Sequence, residues 1–252
     1  MVFRFLFCVS LLLYSGVTHA DTTVKIGVQN FAYFPHYDFT DEESSSLIEV
    51  ILERWAEIHD ITIEFVPLPA KRLEHEFFVS NNLDWIFPAN PRWFNQYPNE
   101  AMYSAPIVTS LSGTMILSEN ASEYSEWFTS ISVPFGFAPV KYQSLIEQRD
   151  LVVFNTPTAE LALQMVQVEH VSGADVEFNV AQHYLSNWPS ARAMTYAPTL
   201  PHLLIDFHIA SIDKNALLQQ FNHWLADNSD FLDSTKKQLN IIEYWPDRSQ
   251  NH

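Results

Sequence analysis

Four aromatic side chains stand together between the first predicted strand and the first predicted helix. They are Phe31, Tyr33, Phe34 and Tyr37. Such a cluster can stack on the ring of a ligand or shield a polar ligand from water, and it can equally pack its own loop against the domain. Both interpretations stay open, so Tyr33, Phe34 and Tyr37 are candidate ligand contacts.

Two arginines follow predicted strands and could hold an anion. Arg72 lies near the start of a predicted helix, where a guanidinium can clamp a carboxylate or phosphate with two hydrogen bonds. Arg92 and Trp93 share a loop with Asn90, and a guanidinium beside an indole suits an anionic or planar solute. The alternatives are an exposed helix charge for Arg72 and a loop salt bridge for Arg92.

Three residues in the second half of the chain are further candidates for ligand contact, namely Phe135, Thr156 and Thr158. Thr158 precedes a predicted helix, so its hydroxyl and the nearby backbone amides could receive an anion. The same hydroxyl can cap its own helix, and the cap is the favoured interpretation.

The usual patterns of catalytic, cofactor and metal sites are missing from the sequence. There is no Gly-x-Ser-x-Gly motif, the single cysteine is Cys8, and the five glycines form no phosphate-binding loop. His202, Asp206 and His208 share one face of a predicted strand, but positions four and six residues apart stand about 13 and 20 Å from the first. Such spacing does not fit one coordination shell of about 2 Å. We therefore predict no catalytic residue, no cofactor and no metal.

The elements that would position these residues alternate between strand and helix. Strands are predicted at 24–28, 61–65 and 83–87, with an amphipathic helix between the first two. That helix has a possible capping box at Thr40 and Glu43 and an apolar stripe through Leu47, Ile51, Trp55 and Ile58. Alternating strands and helices predict right-handed crossovers and parallel pairing.

The alternation of predicted strands and helices begins again after a proline-rich stretch, and a further strand is predicted near the end of the chain. The segment 107–117 opens a second round, with a strand predicted at 174–178, alternation returns at 203–209, and two amphipathic helices follow. We predict an α/β protein of two lobes, each a mostly parallel sheet flanked by helices. Lobe 1 is 21–106 plus 197–252, lobe 2 is 107–196, and two hinge crossings join them.

The first 20 residues have the pattern of a cleavable secretory signal. Arg4 precedes an apolar stretch of about ten residues, too short to span a bilayer, and small side chains precede a cut after Ala20. Cleavage leaves no cysteine and a net charge of −18, since Arg4 is the only charged residue removed from a chain of charge −17. An exported chain without disulfides suits a bacterial periplasm, and its acidity argues against nucleic-acid binding.

Four local stretches and the order of elements resemble the periplasmic solute-binding proteins of family 3, the amino-acid-type binding proteins of ABC importers. The stretches are 24–28, 65–72, 83–88 and 103–107. The resemblance implies the type II two-lobed fold and places Tyr103 and Ser104 on the hinge wall of a ligand cleft. The arginine that the family carries soon after its third strand has no clear counterpart here, since Arg92 is displaced, and this weighs against an α-amino-acid ligand.

The resemblance implies a monomeric periplasmic protein that captures a small polar metabolite, amino-acid-like or otherwise, and closes over it by hinge movement. Its membrane partner would be an ABC importer permease or a sensor. Alternatives are an exported enzyme on the same fold, of dehydratase or wall-cleaving type, and an interaction module without a functional pocket.

Overall fold

The structure is a computed structural model that describes residues 22–40, 45–121, 128–189 and 191–246. The predicted signal segment lies outside these residues. The strands are β1 Thr22–Gln29, β2 Ile61–Leu68, β3 Trp85–Ala89, β4 Met102–Tyr103, β5 Val108–Ser112, β6 Met115–Leu117, β7 Ser130–Pro134, β8 Val152–Thr156, β9 Gly173–Ala174, β10 Met194–Tyr196 and β11 Leu203–Ser211. The α-helices are α1 Leu47–His59, α2 Ala70–Phe78, α3 Gln143–Glu147, α4 Ala159–Gln167, α5 Phe178–Ser186, α6 Asn215–Asp227 and α7 Ser229–Gln238.

The strands form two sheets. The first has the order β2-β1-β3-β11-β4, and β5 also pairs with β11. The second has the order β10-β6-β9-β7-β8. The chain leaves the first sheet after Ser112 and enters the second at Met115; it leaves the second after Tyr196 and returns at Leu203. The chain therefore leaves the first sheet six residues after the predicted boundary at 106, and it leaves the second sheet directly at the predicted boundary of 196.

Both sheets are mixed, whereas the sequence predicts mostly parallel ones. β1 pairs in parallel with β2 and β3, and β7 pairs in parallel with β8 and β9. The returning strand β11 runs antiparallel to β3, β4 and β5, and β6 runs antiparallel to β9 and β10. The antiparallel pairs arise where the chain passes between the sheets, because such strands enter without a crossover helix.

The core of the first sheet forms where buried strands meet amphipathic helices. Val24, Ile26 and Val28 of β1 are fully buried. Trp55 of α1 packs on Trp85 of β3 with ring centroids 5.2 Å apart. Burial of large aromatic side chains is a main source of stability in such a core. The predicted strands and the two closing helices are confirmed here.

The start of α1 differs from its prediction. The helix begins at Leu47, and the Glu49 carboxylate accepts hydrogen bonds from the backbone N and the Oγ of Ser46 at 2.8 and 2.6 Å. Thr40 instead donates from its N and Oγ1 to Asp38, at 2.9 and 2.7 Å. Glu43 lies outside the described residues. Of the predicted apolar stripe, Ile58 is 48% exposed, because α1 turns this position away from the sheet.

The segment after α7 packs against residues of the second sheet and its helices. The Trp245 ring stacks on Tyr196 at 4.6 Å, and Ile242 exchanges two hydrogen bonds of 2.9 Å with the Asn179 amide. Trp245 also covers Gly113, where a Cβ would lie 2.6 Å from the indole ring. Within the described ranges, no helix has both the length and the apolar composition needed to cross a bilayer.

Candidate functional site

A cavity of about 520 Å³ is lined by residues from both sheets. It lies where β1, β3, β7 and β9 end, so their loops supply much of its wall. The carboxyl ends of parallel strands are the usual place for a ligand in an open α/β sheet. The first sheet also contributes Ser110 and Ser112 from β5 and Ile205 and Phe207 from β11.

Aromatic rings form the apolar part of the wall. Tyr33 stacks on Tyr37 at 5.2 Å and on Phe137 at 5.0 Å, and Phe137 belongs to the loop after β7. Trp93 meets the edge of Phe207 at 5.8 Å. Burial and the nearby Glu177 carboxylate raise the pKa of the Tyr33 phenol. The phenol is therefore neutral at physiological pH.

A buried ion pair forms part of the cavity wall. The Lys141 ammonium contacts the Asp175 carboxylate and also donates to Ser112 Oγ at 3.0 Å and to the Gly113 carbonyl at 3.4 Å. The side chains are only 3% and 12% exposed. Burial raises the pKa of the Asp175 carboxyl group, and Lys141 opposes that shift. Each charge compensates the other, as burial requires.

A second acid, Glu177, links helix α5 to strand β5 of the first sheet. Its carboxylate caps α5 by accepting from Val180 N at 2.8 Å, and it accepts from Leu111 N of β5 at 2.9 Å. His36 Nε2, from the loop after β1, lies 3.0 Å from Glu177 Oε2 without the alignment of a hydrogen bond. His36 and Glu177 are 0% and 1% exposed.

Two cations at the cavity have no such compensation. Arg92 and Lys71 line it, and both are exposed. Neither side chain has a hydrogen bond or an ion pair to any residue that the structure describes. Their positive charge is therefore available to a ligand. Among the described residues, no three His, Cys, Asp or Glu side chains cluster as metal ligands.

Solved structures of similar shape identify the fold. No protein-family model and no curated sequence matches the chain. An arginine transport periplasmic binding protein from Legionella pneumophila superposes with a TM-score of 0.65 at 14% identity, covering 89% of this chain and 100% of that one. The chain has the type II periplasmic binding protein fold.

Two further structures share this binding-protein fold. The GluR0 ligand-binding core in complex with L-glutamate has a TM-score of 0.70 at 12% identity, covering 87% of this chain and 99% of that one. An ancestral amino-acid-binding protein, a precursor of cyclohexadienyl dehydratase, has a TM-score of 0.66 at 16% identity, covering 86% and 95%. The predicted two-lobed fold is confirmed.

Four of the residues predicted to contact a ligand line the cavity of this binding-protein fold. They are Tyr33, Tyr37, Arg92 and Trp93. The loops after β1 and β3 bring them together from positions about 60 residues apart, as the rule on strand ends predicts. Their contact with a ligand stays a prediction.

The other predicted residues of the first lobe lie outside the cavity lining. Phe34 packs on the His183 ring at 4.5 Å. The Arg72 side chain is 68% exposed, and its Nε lies 3.7 Å from Glu76 Oε1 on the same helix. Arg72 is therefore an exposed helix charge, the alternative interpretation given above. The Asn90 amide holds its own loop, donating to the Asp206 carbonyl at 2.8 Å and accepting from Arg92 N at 2.9 Å.

The residues predicted on the hinge wall are engaged with the crossing strand instead. Tyr103 pairs with Ala210 of β11. Ser104 Oγ accepts from Ile209 N at 3.0 Å and donates to the Ala105 carbonyl at 2.7 Å. Neither lines the cavity, and the backbone of both residues pairs with β11.

The three residues of the second lobe that were predicted to contact a ligand also lie outside the cavity lining. Phe135 is 59% exposed. Thr156 Oγ1 donates to the Thr158 carbonyl at 2.9 Å, and Thr158 Oγ1 accepts from Leu161 N at 3.0 Å. The favoured interpretation of Thr158 as a helix cap is confirmed.

The sequence does not predict the charged residues of the second lobe. Asp175 and Glu177 follow β9 directly, so the rule on strand ends would have found them. The sequence analysis instead predicts a strand over 174–178, which places both acids inside the strand. In the structure β9 ends at Ala174 and α5 begins at Phe178, so both acids lie in the loop between them. No pattern in the sequence around Lys141 points to a role at the site.

Proposed function

We propose that this protein captures a small polar organic solute between its two lobes. The supporting observation is the cavity of about 520 Å³, whose wall combines side chains of both lobes. Ligand sites typically enclose about 300 to 1,000 Å³. A solute held there would contact both lobes at once.

Such contacts would couple binding to closure of the lobes. We propose a first lobe of 21–106 plus 197–252 and a second lobe of 107–196, with the paired strands β5 and β11 as the hinge. Micromolar affinity corresponds to about 8 kcal/mol, and the part that comes from contacts to both lobes favours the closed form. The stacking of Tyr33 on Phe137 and the approach of His36 to Glu177 support this proposal, since each pair joins residues of the two proposed lobes.

We propose that this function is periplasmic, and the signal-like pattern of residues 1–20 supports that location. We propose that the monomeric closed form is recognised by a membrane partner, either the permease of an ABC importer or a sensor.

The test is ligand binding by the purified exported protein. Binding is detected as a shift in melting temperature across a panel of small metabolites. A saturable rise in melting temperature of several degrees is expected with at least one compound, because a ligand at 100 times its Kd adds about 2.7 kcal/mol of stability. The variant Ala138→Trp should abolish the shift, since Ala138 is an exposed alanine that lines the cavity and an indole there occupies it.

Ala216→Trp is the matched control. Ala216 is an exposed alanine of α6 outside the cavity lining, so its variant should bind like the parent protein. A parent protein whose melting temperature no compound raises would contradict the proposal. Chemical turnover of the bound compound would instead favour an enzyme on this fold.

A further inference from the structure

The chain passes between the two sheets twice, at 113–114 and at 197–202. Hinge movement is absorbed by a few residues where the chain leaves one lobe for the other, so contacts to these two passages bear directly on it. The last described residues of the chain, 240–246, lie against both passages. We call this segment the C-terminal strap.

Trp245 supplies the contact of the C-terminal strap to both passages. Its indole covers Gly113 in the first passage, where a Cβ would lie 2.6 Å from the ring. It meets the His202 ring in the second passage at 5.3 Å, and it stacks on Tyr196, directly before that passage, at 4.6 Å. The Tyr196 hydroxyl in turn donates to the Pro246 carbonyl at 3.2 Å. One side chain therefore links the two passages.

The C-terminal strap is also anchored in each proposed lobe. In the first, the Glu243 carboxylate accepts from Lys236 Nζ of α7 at 3.0 and 2.9 Å and from Thr109 N of β5 at 2.7 Å. In the second, the Ile242 backbone exchanges two hydrogen bonds of 2.9 Å with the amide of Asn179 on α5, a side chain that is buried. Buried polar groups are costly to leave without a partner, so this anchor resists separation.

Opening of the lobes would pull these two anchors apart. The helices α5 and α7 belong to different proposed lobes, and only residues 239–241 separate the end of α7 from Ile242. So short a link has little slack, because each residue extends the chain by a few ångströms at most. A rotation that moves α5 away from α7 therefore has to break the hydrogen bonds of Asn179 or the stack of Trp245 on Tyr196.

We propose that the C-terminal strap limits how far the two lobes open, with Trp245 as the residue that positions it on the hinge. Its contacts favour the closed arrangement, and its release favours the open one. This inference rests on the hinge movement of the proposed function. The end of the chain then helps to set the fraction of closed protein that a solute meets.

The distance between two spin labels, one on each proposed lobe, measures the opening. Cys8 is the only cysteine in the sequence, so Cys8→Ser gives a background for labels at Arg72→Cys and Ser144→Cys. Both positions are exposed, the first on α2 and the second on α3. Double electron–electron resonance on the ligand-free protein gives the distribution of distances between them.

Trp245→Ala should lengthen the mean distance by about 5 Å or more, because the two passages lose the ring that links them. Trp188→Ala is the matched control. Trp188 is a half-buried tryptophan after α5 that packs on Tyr184 at 6.5 Å, outside the C-terminal strap. Its removal should leave the distance distribution unchanged.

Gly113→Ala displaces the same indole without removing it. The three atoms nearest to a Cβ at this position all belong to Trp245, so this variant should lengthen the distance as Trp245→Ala does. The double variant Gly113→Ala with Trp245→Ala should match Trp245→Ala alone, since the clash is then absent. Circular dichroism and a cooperative melting transition show which variants are folded; if Trp245→Ala is not, Gly113→Ala carries the same test.

Three results would overturn the role of the C-terminal strap: a parental distance in Trp245→Ala and Gly113→Ala, an equal increase in Trp188→Ala, or effects of the two single variants that add in the double variant. No ligand enters this experiment, so the strap can be wrong while capture of a solute stands. If the variants open as expected and the metabolite panel contains no ligand, capture is wrong and the strap stands.

Discussion

At the scale of single residues, the most consequential contact is the buried pair of Lys141 and Asp175. Removing one partner leaves the other charge in a site of low polarity, which is more costly than losing the pair as a whole. We therefore expect Lys141→Met to lower the free energy of unfolding by about 3 to 5 kcal/mol. The double variant Lys141→Met with Asp175→Leu should lose less than Lys141→Met alone.

Urea unfolding followed by circular dichroism measures both effects. Lys237→Met is a suitable control, because Lys237 is exposed in the last turn of α7. We expect this control to stay within about 0.5 kcal/mol of the parent. Equal losses for Lys141→Met and the control would show that the pair contributes nothing.

The sequence predicts the residues of this site unevenly. Tyr33, Tyr37, Arg92 and Trp93 were found because each follows a strand end within its own segment. Partners distant in sequence could not be found in this way: Lys141 meets Asp175 34 residues away. Only the folded arrangement of the second sheet brings the members of such a pair together.

At the scale of secondary structure elements, Thr158 separates a structural role from a role in binding. Thr158→Ala should lower the free energy of unfolding by about 1 kcal/mol, because α4 loses the acceptor for Leu161 N. Ligand affinity should not change. Thermal unfolding together with titration of any ligand found for the parent protein checks both expectations.

Thr158→Ser is the matched control, since serine keeps the capping oxygen. A variant Thr158→Ala of parental stability but tenfold weaker binding would instead support an anion site at the start of α4.

The existence of the elements is more predictable than their ends. β1 and α6 were predicted from periodicity because each buries one regular face. The start of α1 was not, because Ser46 with Glu49 and Thr40 with Glu43 both match a capping pattern and only the first pair caps the helix.

At the scale of the whole molecule, Phe137 connects the lobes. It packs on Phe31 at 5.4 Å and on Tyr33 at 5.0 Å, across the opening between the two sheets. Removing the ring should favour an open arrangement, so Phe137→Ala is expected to have a larger radius of gyration than the parent in ligand-free solution, measured by small-angle X-ray scattering.

Phe154→Ala provides the comparison, because Phe154 is a 43% exposed phenylalanine on β8 outside the cavity lining. Scattering curves of the Phe137 variant that superpose on those of the parent would show that this ring does not hold the lobes together.

The two-lobed architecture was predictable because the alternation of strands and helices stops and then begins again along one chain. The mixed pairing of the sheets was not, because alternation within 203–209 does not reveal which strands β11 joins. Pairing partners far apart in sequence depend on the whole fold.

The packing of Trp245 over Gly113 has a consequence for the evolution of this chain. Any β-carbon at position 113 collides with the indole, so the two positions are not free to vary separately. Among homologues, a residue larger than glycine at the position of Gly113 should occur together with a small side chain in place of Trp245, and each change alone should be disfavoured by selection.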